Sequence, residues 1–470
     1  MKVSDYNFYI NDDKENIHLI YNALRNTLVS DDDSKVQNFM KQCDDDIKFH
    51  PEYLTEDEYN DLISSGIIVS DDLDEKKNAI EINRKRLDIL SKKDEHLSLV
   101  IAPTLRCNFN CYYCFESKNN RNIEDSMNME VQNDILNFIE KSILQNHIKN
   151  VSIIWYGGEP LIQQNIIFFM QKKINEICKS YHVKVYSHMI TNGVLLTTEI
   201  SDLLFDHGIS GVQITIDGPE HIHNKRRYYP AEPTNNYNLI LENILNANNN
   251  IRFNIRINID KNNMNFVFAF INDLIERKIW PHKKNVFITP ALVKPEQVES
   301  DSITNFVLSK KDYLIFEDRI RRYLMEKYNE ISLTNKAKLK FNYPKFGGEA
   351  GCGYGIFKNL WIISYNGDIF RCWDFIGVKK HAIGTMKDLL DDFGRSIVNK
   401  IKIDNTKFEQ WGCFDCKFFP ICGAECPWEF SKNNEKRRCT EWKSVLEYRL
   451  LNQYKLYLKE PKIFKNVLFA

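Results

Sequence analysis

Two periodicities alternate along the middle of the chain. Short runs rich in β-branched and aliphatic residues recur at Leu97–Pro103, Val151–Tyr156, Val183–Ile190, Gly211–Ile216, Ile251–Ile259 and Val286–Leu292. Between them lie stretches with apolar residues at helical spacing: Met129–Leu144, Leu161–Cys178, Glu199–Phe205, Leu239–Ala247 and Phe266–Arg277. Strand followed by helix at this spacing predicts βα units around a parallel sheet. Six such units make an α/β fold of the partial (β/α)6, TIM-type barrel kind. An active site on it is expected at the C-terminal ends of the strands.

The flanks have a different rhythm. Residues 1–95 mix strand-like Tyr6–Ile10 and Ile17–Tyr21 with helical patterns near Ser34–Cys43, Thr55–Ser65 and Asp74–Lys92, and carry a further apolar run at Gly66–Val69. This combination suits a winged-helix-like module, with the acidic run Asp31–Asp33 as a solvated turn. Residues 311–345 form an expected helical linker after a barrel spanning 96–310. From Gly347 glycine and cysteine become frequent, and periodic segments vanish until Glu441–Leu458. A domain at 346–470 with so little regular structure is expected to draw stability from metal–thiolate bonds.

Composition narrows the function classes. The 470 residues are 43% hydrophobic, enough for more than one core. Basic and acidic side chains number 63 and 64, a net charge of −1, which excludes a dominant nucleic-acid or membrane-surface field. The opening MKVSDYNFYINDDKEN is too polar for a signal peptide, and no apolar run is long enough to span a bilayer. A cytoplasmic protein is expected.

The twelve cysteines change the picture because they cluster: three at 107–114 and seven at 352–439. In a reducing compartment clustered thiols more often ligate metal than form disulfides. Cys107, Cys111 and Cys114 sit in RCNFNCYYCFE directly after the first expected strand, with the spacing C-x3-C-x2-C. Three thiolates on one tight loop can hold three corners of a cubane iron–sulfur cluster and leave one iron open. The alternative is a corner of a zinc site, although zinc more often uses paired C-x2-C hooks. Cys43 and Cys178, outside both groups, read as buried thiols.

This loop, with Tyr113 before its last cysteine, resembles the signature of the radical S-adenosylmethionine enzymes. The likeness continues in order through Gly157-Gly158-Glu159-Pro160 after the second strand, Thr191-Asn192-Gly193 after the third, and TIDGPEHIHNKRR at the end of the fourth. The resemblance implies that the Gly157–Glu159 backbone meets the methionine amino group of S-adenosylmethionine, and that Thr215 and Arg227 also contact this cofactor. Thr215 stands where the family usually has serine, keeping the hydroxyl, and His223 reads as a packing residue.

The later cysteines resemble the SPASM domain of peptide and protein maturases. Cys352 and Cys372 flank Gly367, followed by Cys413-x2-Cys416-x5-Cys422-x3-Cys426 and then Cys439; read alone, a zinc ribbon built on Cys413 and Cys416 stays open. The resemblance implies three [4Fe–4S] clusters in all, with Cys413, Cys416, Cys422 and Cys439 filling one auxiliary cluster. Cys352, Cys372 and Cys426 give the other only three ligands, and residues 353–371 hold no fourth cysteine. An open iron there could take a substrate thiolate. In the sulfatase-maturing branch an aspartate base directly follows the cysteine equivalent to Cys372; here that place is Trp373, with Asp374 one residue later.

The implied activity is installation of thioether crosslinks in a ribosomally made precursor peptide. Residues 1–95 would bind the leader, and a low-potential ferredoxin or flavodoxin would supply electrons. Carbon–carbon or ether crosslinking, formylglycine formation, and a zinc-stabilised binding protein are the competing readings.

Overall fold

The chain segment Asn150–Trp155 shows why the central runs become strands: Val151, Ile153 and Trp155 are buried, while the intervening residues are half-buried. The computed structural model describes residues 1–31, 55–91, 95–114, 116, 125–231, 234–293, 305–332, 337–339, 344, 359–392, 409, 411–422, 439 and 442–463. These fall into two compact units, one formed by 92–331 with 357–402, the other by 1–91, 332–356 and 403–470.

The larger unit is built on six parallel strands: β1 (His96–Ile101), β2 (Asn150–Trp155), β3 (Lys184–Thr191), β4 (Ile209–Thr215), β5 (Arg252–Ile259) and β6 (Val286–Leu292). Neighbours in sequence are neighbours in the sheet, and every pairing among them is parallel. The sheet then continues beyond β1 through β7 (Leu360–Ile363), β8 (Asp368–Phe370) and β9 (Gly384–Thr385). Strand β7 runs parallel to β1, with Leu360 opposite Ser98, and β8 and β9 are antiparallel. The result is a mixed α/β fold around a large parallel sheet.

Helices α1 (Met129–Asn146), α2 (Gln164–Ser180), α3 (Thr198–Asp206), α4 (Glu220–Arg226), α5 (Asn236–Asn246) and α6 (Val267–Glu276) lie in the connections between strands, and α7 (Lys310–Ile331) follows β6. Local chemistry fixes their starts: Asn128 and Thr197 accept from the backbone N–H of Val131 and Ile200, satisfying donors that the first turn leaves free. On β5, Phe253, Ile255, Ile257 and Ile259 are fully buried, whereas Asn254, Arg256 and Asn258 form a polar opposite face. That face is joined across strands, with Thr289 Oγ1 donating to Asn254 Oδ1 at 2.7 Å.

The smaller unit contains an antiparallel meander, Asn7–Asp12, Ile17–Asn22 and Thr27–Asp31, and a short pairing of Lys2–Val3 with Ile68–Val69. Asp31, expected in a turn, instead pairs with His18 at the end of the third strand. Helices Glu56–Ser64 and Glu75–Ser91 follow, the first opened by a reciprocal Thr55–Glu58 capping box. Ile20, Leu62, Ile67 and Ile68 form the core between sheet and helix.

This unit also holds the C-terminal helix Trp442–Lys459 and the Cys413–Cys422 segment. The Phe8 and Phe418 rings lie 4.6 Å apart, and Lys455 pairs with Asp12 and Glu15. The contacts bring both ends of this chain into this one unit, a pairing invisible in local sequence. The expected helix near Ser34–Cys43 lies outside the described residues. Among the described residues, no helix is long and apolar enough to cross a membrane.

Candidate active site at the C-terminal ends of the strands

The loop after β1 is held from below before it reaches its first cysteine. Thr104 Oγ1 donates to the Asp125 carbonyl at 2.8 Å, and the Leu105 N–H donates to Asp125 Oδ2 at 3.1 Å. The turn after β2 then closes on the same backbone, as the Gly158 and Glu159 N–H groups donate to the carbonyls of Thr104 and Arg106 at 3.3 and 2.8 Å. Glycine is required at this approach. A Cβ on Gly157, whose φ is +110°, would lie 2.2 Å from the Thr104 carbonyl oxygen, and one on Gly158 would lie 2.2 Å from that of Arg106.

The same loop is tied on its other sides. Asn192 Nδ2, following β3, donates to Asn108 Oδ1 at 2.6 Å. Asn110–Cys111 pairs antiparallel with Arg227–Tyr228, and the Phe109 ring stacks on Tyr229. Cys107, Cys111 and Cys114 thereby line one cavity, together with Gly157, Gly158 and Glu116.

Among the described residues, no three histidine, cysteine or acidic side chains converge tightly enough to share a single ion. The three thiols surround a space instead, which is what a polynuclear cluster of several irons needs. Gly157 and Gly158, which put no side chain into its wall, leave room for a cofactor beside it. The residues present thus fit a cubane cluster with S-adenosylmethionine.

Glu159 is fully buried and already occupied. Its carboxylate accepts from Thr191 Oγ1 at 2.7 Å, from the Leu161 N–H at 3.0 Å and from the Asn192 N–H at 2.8 Å. Burial raises its carboxyl above the usual range, against the pull of these donors. Glu159 therefore braces the turns after β2 and β3, while its backbone remains turned to the cluster loop.

Tyr113 carries a second brace. Its phenol donates to Asp217 Oδ2 at 2.5 Å, and its oxygen receives Arg227 Nη1 at 2.7 Å and Asn258 Nδ2 at 3.2 Å. Burial, then the Asp217 charge, pushes this phenol well up despite Arg227. Beside it, Arg226 Nη1 donates to both Asp260 oxygens at 2.8 Å and to Tyr112 at 2.6 Å, and Arg226 Nε stands 3.5 Å from Asp217. Burial opposes the Arg226 charge, but Asp217, Tyr113 and Asp260 outweigh it and hold the guanidinium protonated. Thr215 ends β4, buried, immediately before this network.

His223 is fully buried, its Nδ1 receiving the Asp217 N–H at 3.4 Å while Nε2 has no partner among the described residues. Tyr112, Arg226, Asn258 and Asp260 were not singled out by the sequence. The doublets Tyr112-Tyr113 and Arg226-Arg227 were the available signal: Tyr112 and Arg226 meet at Asp260, while Tyr113 and Arg227 meet each other beside Asp217.

On the far side of the cavity, Tyr156 hydrogen-bonds Glu116, and the Tyr156 ring lies 5.6 Å from Trp373. Burial, helped by the Asp374 charge, pushes the Glu116 carboxyl up to about 7. Asp374 is thus close to the cavity wall, on the short turn after β8 that also carries Cys372. Glu116 had no role in the sequence reading. Cys413, Cys416, Cys422 and Cys439 belong to the smaller unit, Cys372 to the larger, and Cys178 is buried in α2. Cys43, Cys352 and Cys426 lie outside the described residues.

A parallel α/β sheet with a three-thiol loop after its first strand, closed by a glycine pair after its second, defines a radical S-adenosylmethionine scaffold. Residues 101–265 match the model of the Radical SAM superfamily. The cysteine-type anaerobic sulfatase-maturating enzyme of Clostridium novyi is 24% identical over 373 residues, covering 75% of this chain and 94% of its own length. The radical SAM cyclopropyl synthase TigE of Paramaledivibacter caminithermalis is 26% identical over 205 residues, 40% of this chain and 43% of TigE. The solved structure of native anSMEcpe with bound AdoMet superposes with a TM-score of 0.52 at 20% identity, covering 78% of this chain and 100% of that one. Residues 101–265 thus form a Radical SAM domain, within a chain similar over three quarters of its length to a sulfatase-maturating enzyme.

Proposed function

We propose that the enzyme is a peptide maturase that closes thioether crosslinks between cysteine thiols and unactivated carbons of a ribosomally made precursor. The observation that carries this reading is the cysteine arithmetic: Cys352, Cys372 and Cys426 leave an auxiliary cluster one ligand short. That vacancy suits a substrate thiolate. The position of Cys372 on the turn beside the Glu116–Tyr156 wall supports delivery of such a thiol near the cavity.

In the cavity, a reduced [4Fe–4S] cluster with S-adenosylmethionine would supply a 5′-deoxyadenosyl radical for hydrogen abstraction, and two auxiliary clusters would accept the substrate's electron. The chain's own residues do the holding. Cys107, Cys111 and Cys114 are the cluster ligands, and Gly157, Gly158 and Glu159 present backbone to the methionine end. Thr215, Tyr113 and Arg227 border the remainder of the cofactor. Asp374, one residue past the place of the sulfatase-maturing branch's base, is the candidate base.

The winged-helix-like module at 1–95 would bind the leader by adding a strand to an edge of its three-stranded sheet. A ferredoxin or flavodoxin would deliver electrons, in the cytoplasm. The domain limits 96–310, 311–345 and 346–470 are part of the same proposal.

A second reading, formylglycine formation, is favoured by the match along nearly the whole length of the Clostridium novyi sulfatase-maturating enzyme. It is disfavoured by Trp373 at the position of that branch's base. Anaerobic co-expression with a short cysteine-bearing peptide encoded beside the gene, read by mass spectrometry, separates the two. A thioether removes two hydrogens per crosslink and keeps sulfur, whereas formylglycine loses sulfur. No mass change on such a peptide would remove the thioether proposal.

A further inference from the structure

Two glutamates beside the cluster loop differ in how their lone pairs are spent. Glu159 accepts three hydrogen bonds from the protein. Glu116 is also buried, 8% exposed, but its Oε2 has no hydrogen-bond partner among the described residues. It lines the cavity with the three thiols, and Tyr156 holds its carboxylate from the end of β2.

A buried acceptor left open is unfavourable until a donor reaches it. Here Asp374 lies close by, so among the described residues this neighbour offers a like charge rather than a donor. The open oxygen therefore selects for a hydrogen-bond donor arriving with a ligand. Donors reach this cavity from the cofactor, through its amino groups and ribose hydroxyls, and from the peptide. Under the proposed function the Gly157–Glu159 backbone meets the methionine amino group while Tyr113, Thr215 and Arg227 border the rest of the cofactor, so the peptide is the donor assigned to Glu116.

We propose that Glu116 is a positioning residue whose Oε2 accepts a hydrogen bond from a backbone N–H of the peptide residue being modified, fixing its carbon beside the thiol-lined cavity. The inference rests on the peptide-maturase reading and adds the contact by which the reacting residue is held. Radical chemistry makes this placement consequential, because an abstracting species that finds no correctly held carbon is consumed without product.

The experiment compares wild type with Glu116→Gln and Glu116→Ala, anaerobically reconstituted, acting on the cysteine-bearing peptide encoded beside the gene. The readout is the ratio of 5′-deoxyadenosine released to peptide modified, together with KM for peptide and for S-adenosylmethionine. Loss of this buried hydrogen bond, complete in Glu116→Ala, should raise the ratio and the peptide KM about tenfold. A general loosening of the site would lower both products together and leave the ratio unchanged, which would overturn the proposal. A rise confined to KM for S-adenosylmethionine would overturn it too, by giving the oxygen to the cofactor.

Variants that turn over no cofactor are scored on affinity for the leader-free core peptide by fluorescence anisotropy. About a tenfold loss is expected there, and unchanged affinity overturns the assignment. If wild type modifies no peptide, the maturase reading itself has failed and this contact falls with it. A modified peptide with an unchanged ratio sinks the contact alone.

Discussion

Tyr113 and Asp217, 104 positions apart, share a 2.5 Å hydrogen bond that fastens the cysteine loop to the end of the fourth strand. The phenol also receives Arg227 and Asn258, so removing it costs three partners a hydrogen bond each. Tyr113→Phe is expected to destabilise the larger unit by about 1–3 kcal/mol. Anaerobic urea unfolding checks this, and a midpoint equal to wild type would show that the network closes without the phenol.

The glycine pair makes a sharper forecast. A Cβ on Gly158 would meet the Arg106 and Leu105 carbonyl oxygens at 2.2 and 2.4 Å, both backbone atoms of the cysteine loop. Gly158→Ala should therefore displace the loop and lower iron bound at Cys107, Cys111 and Cys114, with cofactor cleavage falling about tenfold or more. Gly208→Ala is the control, since its φ of +84° gives only backbone strain and the nearest atom to its Cβ would be 3.6 Å away. It should cost about 1–2 kcal/mol of stability and leave iron content alone.

His223 predicts a pH dependence. Burial first, then Arg227 and Arg226, hold its imidazole well below the ordinary histidine value. The unfolded chain binds a proton near pH 6.5 that the folded chain refuses, so stability is full above that pH and falls as acidity increases. The slope for this proton approaches about 1.4 kcal/mol per pH unit below pH 6. His223→Gln should remove that part of the slope, measured as the change in urea midpoint between pH 7 and pH 5.5. Equal slopes in the two proteins would mean that the imidazole titrates normally.

In the smaller unit, the buried Phe8 ring packs 4.6 Å from Phe418 and lies under the Lys417 ammonium at 5.0 Å. Phe8→Ala should destabilise that unit by about 3 kcal/mol. Limited proteolysis should then open the Asn7–Asp12 strand and the Cys413–Cys422 segment together. Cutting confined to one of them would show that the two ends fold independently.

The six parallel strands were legible because each must bury alternate aliphatic residues, and nothing outside the run is needed to see it. The cysteine loop and the Gly157-Gly158-Glu159 turn were legible for a similar reason, as their chemistry is written in consecutive residues. What escaped was set by distant partners. Leu360–Ile363 is four residues long, and only its pairing with β1 makes it a strand of the main sheet. Thr27–Asp31 likewise depends on Ile17–Asn22. Arg226 and Asp260 meet across 34 residues with no local pattern, and Glu116 acquires meaning only when Tyr156 and the cavity are placed around it.

The joining of both termini in one unit has a temporal consequence. Asp12 must wait 443 positions for the Lys455 that pairs with it. At roughly 5–20 residues per second, the ribosome needs on the order of half a minute or more to bridge that gap. Throughout that interval the nascent meander presents the Phe8 face to chaperones and proteases alike, so yield in the cell should respond to elongation speed and holdase supply. The Asn7–Asp12 strand is thus made long before the helix that completes its unit.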